Sequence, residues 1–73
     1  MAIDYSKYIT NEQKKTLLTD RLSQFAAEAY QHSINSQVAK LLGNDEGVKN
    51  AEDALVILEA AIDAHVTELE TLK

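Results

Sequence analysis

Two histidines, His32 and His65, are the side chains of this 73-residue chain best suited to chemistry. An imidazole can bind a metal ion or move a proton near neutral pH. If the two halves of the chain pair as antiparallel helices, the histidines lie roughly 12 Å apart along the helix axis, too far for one mononuclear metal site. We interpret His65 as a boundary histidine held by a hydrogen bond; a pH-sensitive contact and a metal ligand are the alternatives.

Motifs that would support catalysis are missing from the sequence. There is no cysteine and no glycine-rich phosphate loop, and the serines lack the sequence context of a nucleophile. The Glu-x-x-His pattern of di-metal helical bundles would need acids where Ala29 and Ile62 stand. The sequence therefore predicts a protein that is not an enzyme and that has no catalytic residue, cofactor or metal ion.

Length and composition indicate one small domain that needs support from outside its own core. Apolar residues make up 45% of the chain, which is typical of a folded protein. A single core is marginal at this length, and without cysteines the remaining common support is oligomerisation. No apolar run approaches the roughly 18–20 residues that span a bilayer, and residues 1–5 lack the order of a signal peptide. We expect a cytoplasmic protein, in the host cytoplasm if it is viral, that does not bind membranes.

The net charge of -5 is concentrated in the second half of the chain. Residues 1–42 hold five basic and four acidic residues, whereas residues 43–73 hold two lysines and eight acids. The second half would repel a phosphate backbone, so we expect no direct binding to nucleic acid. The asymmetry indicates a solvated acidic face or, alternatively, a surface for a basic partner.

A long seven-residue repeat organises the second half. It starts at Val48, and the chain contains no proline and no glycine after Gly47, so nothing interrupts a helix there. The 3-4 spacing predicts a seam that packs against another helix. All of its eight core positions except His65 are apolar. The core positions are Val48, Ala51, Leu55, Leu58, Ile62, His65, Leu69 and Leu72.

The first helix is predicted to start with a capping box, Thr10 to Gln13, and to end before Gly43. Its apolar residues form two faces roughly 150° apart on a helical wheel. The residues around Ser33–Ser36 are weak helix formers, so a break is one alternative. We favour a continuous helix with two buried faces, because neither proline nor glycine forces a kink. The two faces consist of Leu18, Leu22, Phe25 and Ala29, and of Tyr30, Ile34, Val38 and Leu41.

The turn signal Gly43–Gly47 joins two helices of similar length, which predicts an antiparallel hairpin. We predict an arm at residues 1–9 and a hairpin at residues 10–73, with helices at 11–42 and 45–72 and a turn at 43–47. The fold class is all-α, with two hairpins forming a homodimeric four-helix bundle.

Reflection through the turn pairs residues whose numbers sum to about 89. It places Phe25 near His65, and it brings side chains of the second apolar face of the first helix against the second helix. The predicted apolar neighbours are Ile34 with Leu55 and Val38 with Ala51. Reflection also places basic beside acidic residues: Lys14, Lys15 and Arg21 beside Asp63, Glu68 and Glu70.

The oligomer or partner interface is predicted on the apolar positions of both helices. In the arm, Tyr5 and Tyr8 are candidates for docking a partner, because a tyrosine suits a site that is apolar at one end and wet at the other. We favour an arm that simply packs over the end of the bundle. The predicted interface consists of Leu18, Leu22, Phe25, Tyr30, Ile34, Val38, Leu55, Ile57, Leu58, Ile62 and Leu69.

The first 40 residues resemble short uncharacterised helical proteins of tailed bacteriophages. The resemblance lies in the opening Met-Ala-Ile-Asp-Tyr-Ser-Lys-Tyr-Ile-Thr and in the segment Gln24–His32, which reads Gln-Phe-Ala-Ala-Glu-Ala-Tyr-Gln-His. It carries no diagnostic motif, and no functional residue is transferred from it. It implies partners of viral or host origin.

The function that the sequence favours is therefore a small non-enzymatic, self-associating helical protein that mediates protein–protein interaction. One alternative is an inhibitor of a host nucleic-acid-binding protein, in which carboxylates imitate phosphates. Another is a minor structural component of a virion. The carboxylates of the inhibitor hypothesis are Glu52, Asp53, Glu59, Asp63, Glu68 and Glu70.

Overall fold

The computed structural model describes residues 3–72 and shows an all-α hairpin. A short 3-10 helix, Tyr5–Tyr8, precedes helix α1 (Asn11–Leu41) and helix α2 (Asp45–Thr71). The two long helices pack side by side and run in opposite directions, which confirms the predicted all-α hairpin. Helix α1 is continuous through residues 31–36, so the weak helix formers there do not break it.

Helix α1 begins at the capping box that the sequence predicts. The Thr10 hydroxyl accepts a hydrogen bond from the Gln13 backbone N–H at 3.1 Å. In return, the Gln13 side chain accepts one from the Thr10 N–H at 2.8 Å. Glu12 lies in the first turn, where the positive end of the helix dipole favours an acid. Two backbone donors that α1 itself leaves unpaired are thereby satisfied.

The turn is closed by a Schellman motif at the end of α1. Gly43 has a φ of 68°, a left-handed conformation in which a side chain is disfavoured. Its N–H donates to the Lys40 carbonyl at 3.2 Å, and the Asn44 N–H donates to the Ala39 carbonyl at 2.8 Å. These are the two bonds that define the motif. The chain therefore reverses direction in very few residues.

Asn44 caps the start of helix α2, because its side chain accepts a hydrogen bond from the Gly47 N–H at 3.0 Å. A Cβ atom at Gly47 would lie 2.8 Å from the Asn44 side-chain nitrogen and 3.1 Å from the Ala39 Cβ. Glycine at this position thus admits both the cap and a close approach of α2 to α1.

The inner face of α2 is the predicted seven-residue repeat. Ala51 and Leu58 are buried, and the other six core positions are half-buried. The inner face of α1 also has 3-4 spacing, and it consists of Leu18, Leu22, Phe25, Ala29, His32, Ser36 and Ala39. Cross-helix contacts of Phe25 with His65 and of Lys40 with Glu52 agree with the predicted register.

The hairpin is long and only one helix thick in one dimension. Its extents are 51 × 27 × 14 Å, and its radius of gyration is 16.3 Å. A compact domain of this length has a radius of gyration of about 11 Å. Across residues 3–72, only four side chains are buried and none is completely enclosed. Neither helix carries a stretch, within those residues, that is long and apolar enough to cross a bilayer.

Candidate interaction surface

The main candidate surface is an apolar stripe on the side of α1 that faces away from α2. We call it the outer stripe; it consists of Tyr30, Ile34, Val38 and Leu41. Tyr30 is 69% exposed and Leu41 is 88% exposed, while Ile34 and Val38 are 38% and 48% exposed. Their spacing of four, four and three residues places all four side chains on one side of the helix. A soluble monomer rarely leaves so many large apolar groups together in water.

The outer stripe exists because the inner face of α1 becomes small and polar near the turn. Ser36 and Ala39 are buried there, opposite the buried Ala51 of α2. Small side chains allow the two backbones to come close, which the short turn and Gly47 also require. Large side chains in this part of α1 can therefore project only outward.

This arrangement corrects the predicted contacts of Ile34 with Leu55 and of Val38 with Ala51. Reflection through the turn gives the position of a residue along the helix axis, but not the side of the helix on which its side chain lies. Ser36 and Ala39, which lie at nearby positions along the axis, face α2 instead. Ile34 and Val38 are exposed instead. The predicted second apolar face of α1 is therefore present but uncovered within one chain.

The remaining predicted interface residues divide between the inner faces and the outside. Ile57 is 71% exposed and lies on the outer side of α2. The sequence-based interface set omitted five exposed apolar residues of the hairpin, which are Leu17, Leu41, Leu42, Val56 and Val66. Their signal was present, because none of them fits the seven-residue repeat or the inner face of α1. The inner set consists of Leu18, Leu22, Phe25, Leu55, Leu58, Ile62 and Leu69, all buried or half-buried.

The arm lies along the open end of the hairpin without burying its aromatic rings. Tyr5 and Tyr8 are both more than three-quarters exposed, whereas Ile9 is 38% exposed. The arm, α1 and α2 together line an open cleft of about 330 Å³. The two tyrosine rings are uncovered in the single hairpin, and the favoured expectation of an arm packed over the end of the bundle stays a prediction. The cleft is lined by Tyr5, Ser6, Ile9, Lys14, Leu17, Leu18 and Glu68.

His65 is the hydrogen-bonded boundary histidine that the sequence favours. Its Nδ1 lies 2.6 Å from the Ala61 carbonyl, and the Arg21 Nε donates to its Nε2 at 3.0 Å. These partners fix the neutral tautomer with the proton on Nδ1, because a carbonyl only accepts and a guanidinium only donates. Phe25 meets the imidazole edge to face at 5.1 Å, and the Arg21 guanidinium lies 5.5 Å from the Phe25 ring centre. Both ring nitrogens are engaged, so His65 has no free lone pair for a metal.

The ion pairs differ from those expected of Lys14, Lys15 and Arg21. In the described part of the chain, the pairs are Lys40 with Glu52 at 3.8 Å and Lys49 with Asp53 at 3.1 Å. Arg21 bonds to a histidine instead of an acid. Long lysine side chains on the surface gain little free energy from an ion pair. Their conformations are therefore determined by local packing rather than by the nearest acid. The ion pairs therefore contribute little to the orientation of the helices.

Four carboxylates form an acidic stripe along α2. Positions 52, 59, 63 and 70 fall within roughly 40° of one another on a helical wheel. Asp53 and Glu68 lie on other sides of the helix. All six acids are exposed. The acidic stripe consists of Glu52, Glu59, Asp63 and Glu70.

Other kinds of site find no support among the residues that the structure describes. From Ile3 to Leu72 there is no group of three or more histidine, aspartate or glutamate side chains that could hold a metal ion. No protein-family model matches the chain, and the searches of curated proteins and of solved structures found no match. The outer stripe, the acidic stripe and the arm are thus the surfaces on which a function can be argued.

Proposed function

We propose that this chain is a small, non-enzymatic helical protein that self-associates through apolar helix faces and mediates protein–protein interaction. The observation that carries the proposal is its excess exposed surface. The whole chain, arm included, exposes 5782 Å², whereas a compact monomer of 8.1 kDa exposes about 4,500 Å². The excess of roughly 1,300 Å² exceeds the roughly 800 Å² that each partner buries in a standard interface.

The composition of that surface supports association rather than catalysis. Large apolar side chains are exposed along both helices, while among residues 3–72 only Ala39, Ala51 and Leu58 form a buried apolar core. A domain is normally stable when two layers of secondary structure enclose a core. A single hairpin provides one such contact, and a second hairpin would provide the missing layer. We propose a homodimer on this basis.

The test is the solution mass, measured by light scattering after size exclusion over a hundredfold range of concentration. We expect twice the chain mass of 8.1 kDa at the higher concentrations. Circular dichroism at each concentration reports whether helicity follows the mass. A well-folded monomer at every concentration would refute self-association and would leave the outer stripe as a site for a different protein.

A second candidate function is inhibition of a protein that binds nucleic acid, and the acidic stripe of α2 favours it. Four carboxylates on one side of a rigid helix present a row of negative charge, as a phosphate backbone does. Over residues 3–72, Glu52 is the one member of the stripe with an ion pair across the hairpin. The other three carboxylates are available to a basic surface.

The second function predicts binding that depends strongly on salt and on the acidic stripe. A suitable assay is displacement of DNA from a basic DNA-binding protein between 50 and 300 mM salt. Neutralising Glu59, Asp63 and Glu70 by the amides should abolish the displacement. A matched control neutralises three acids off the stripe, Glu46, Asp53 and Glu68. Equal loss in both variants would assign the effect to net charge and refute a stripe-specific inhibitor.

A further inference from the structure

We infer that the second copy packs on the outer stripe of α1, so that two α1 helices pair antiparallel about a two-fold axis and the α2 helices lie outside. The inference rests on the self-association proposed above and adds the face, the direction and the register. It replaces an arrangement in which all four helices share one central core. Its basis is the distribution of charge and the spacing of the exposed apolar residues.

The charge on α1 suits contact with itself. A two-fold interface brings one surface patch against an identical patch, so any net charge on the patch meets the same charge. Helix α1 carries four basic and three acidic residues, and residues 22–39 contain a single formal charge, Glu28. The stretch that carries most of the outer stripe can therefore face a copy of itself with little repulsion.

The charge on α2 opposes contact with itself. Helix α2 carries eight acidic residues and one lysine, a net charge of -7. Packed helices lie roughly 8–10 Å apart, so two α2 helices in contact would repel one another within a Debye length. With both α1 helices between them, the α2 axes are separated by roughly three such distances. Salt then screens most of their repulsion.

The spacing within the outer stripe selects an antiparallel register. Under a two-fold axis that crosses α1 near residue 36, positions whose numbers sum to about 71 or 72 meet across the interface. Tyr30 of one copy then meets Leu41 of the other, and Ile34 meets Val38. The two-fold axis repeats both contacts, so every member of the outer stripe has an apolar partner. Each large side chain that the single hairpin leaves exposed in this half of α1 becomes covered.

A matched pair of substitutions tests the face. Ile34 and Ile57 are both isoleucines in helix interiors, 38% and 71% exposed respectively, but only Ile34 belongs to the outer stripe. Ile34→Asp should weaken dimerisation roughly 100-fold or more, because it buries a carboxylate against an apolar surface. Ile57→Asp should leave the dimer mass and dissociation constant unchanged within about threefold. Circular dichroism at high concentration checks that both variants keep their helices.

Engineered cysteines test the direction and register without any substitution of charge. The chain has no cysteine of its own, so every disulfide formed reports an introduced pair. A mixture of a Tyr30→Cys protein with a Leu41→Cys protein should cross-link under mild oxidation, because the two Cα atoms meet across the interface. The Leu41→Cys protein alone should not, since its two copies lie roughly 16 Å apart along the axis.

The outcomes separate this inference from the proposed self-association. A wild-type dimer that survives Ile34→Asp but dissociates with Ile57→Asp would overturn the α1 interface and leave self-association intact. Efficient cross-linking of the Leu41→Cys protein with itself would overturn the antiparallel register in favour of parallel α1 helices. A monomeric wild-type protein would refute the proposed function itself. Dissociation by Ile34→Asp alone, with cross-linking of the mixed pair alone, is the expected result.

Discussion

The two halves of α1 bury opposite kinds of side chain. In the half nearer the open end, Leu18, Leu22 and Phe25 lie against α2. In the half nearer the turn, Ser36 and Ala39 lie against α2 while the large residues of the outer stripe point to solvent. One continuous helix therefore contributes large groups to the hairpin at one end and to the outer surface at the other.

The difference teaches that the turn determines which residues can be buried near it. Where the chain reverses within a Schellman motif, the helices start close together, and Gly47 lies next to Ala39. A Leu or Phe at position 36 or 39 would force the two helices apart. Further from the turn, Phe25 and His65 fit between the helices. The apolar residues of the turn half are thus excluded from the hairpin and become available to another chain.

The largest expected effect comes from a substitution of Leu58, which lies opposite the junction of the two halves of α1. Leu58 is only 8% exposed, and reflection through the turn places it level with the middle of α1. Leu58→Asp should abolish most helicity and all association, because it puts an unpaired charge in the seam. Circular dichroism and size exclusion measure both. The exposed Val56→Asp is the control and should stay folded; a folded oligomer of Leu58→Asp would show that the seam is misassigned.

A pair of aromatic truncations sharpens the comparison. Phe25→Ala should lower the free energy of unfolding by about 2–3 kcal/mol, since the ring is half-buried and contacts His65. Tyr30→Ala should change it by less than about 0.5 kcal/mol in the monomer, because that side chain is a surface group there. Urea unfolding at a concentration below the dissociation constant is the measurement. Equal losses would contradict the difference between the two halves.

Adding volume to the half of α1 nearer the turn should also destabilise the hairpin, by overpacking rather than by loss of contacts. Ala39 is 7% exposed, so Ala39→Leu should destabilise the hairpin by about 1–3 kcal/mol through overpacking. Val56→Leu is the control, because it adds a methylene to a side chain that is 67% exposed and lies outside the outer stripe. Thermal unfolding of both variants provides the readout. A stable Ala39→Leu protein would mean that the helices have room to separate near the turn.

The smallest effect tests the turn itself. A Cβ at Gly43 would meet no atom within 4 Å, so the cost of Gly43→Ala is backbone strain alone. We expect a loss of about 1 kcal/mol, the usual penalty for a side chain in the left-handed region. Gly43→Asn should lose less, because asparagine tolerates that conformation. Chemical unfolding compares the two variants, and no loss in either would mean that the turn relaxes into another conformation.

Much of this fold could be predicted because its signals are local. The capping box at Thr10, the glycine after α1 and the seven-residue repeat of α2 each act through neighbours in sequence. They are sufficient for an antiparallel hairpin and for its register. The existence of a second apolar face on α1 also follows from its spacing.

The side of α1 that faces α2 near the turn could not be predicted in the same way. Size and hydrophobicity favour Ile34 and Val38 at the interface between α1 and α2. The close approach of the two helices instead requires the small side chains of Ser36 and Ala39 there. The bond from Arg21 to His65 was missed for a related reason. Pairing by charge assigned Arg21 to an acid, although the neutral imidazole offers an acceptor beside the apolar Phe25.

The Schellman turn has a consequence for the order in which the hairpin folds. The residues beside it contribute mostly small side chains, so early contacts there gain little free energy from apolar burial. The largest inner side chains lie near the open end, and Phe25 is separated from His65 by forty residues of chain. We expect the turn to form in the folding transition state as a weak nucleus, and the distant aromatic and aliphatic groups to meet only after that state. Rapid-mixing experiments should then find that Gly43→Ala chiefly slows folding, whereas Leu18→Ala chiefly speeds unfolding.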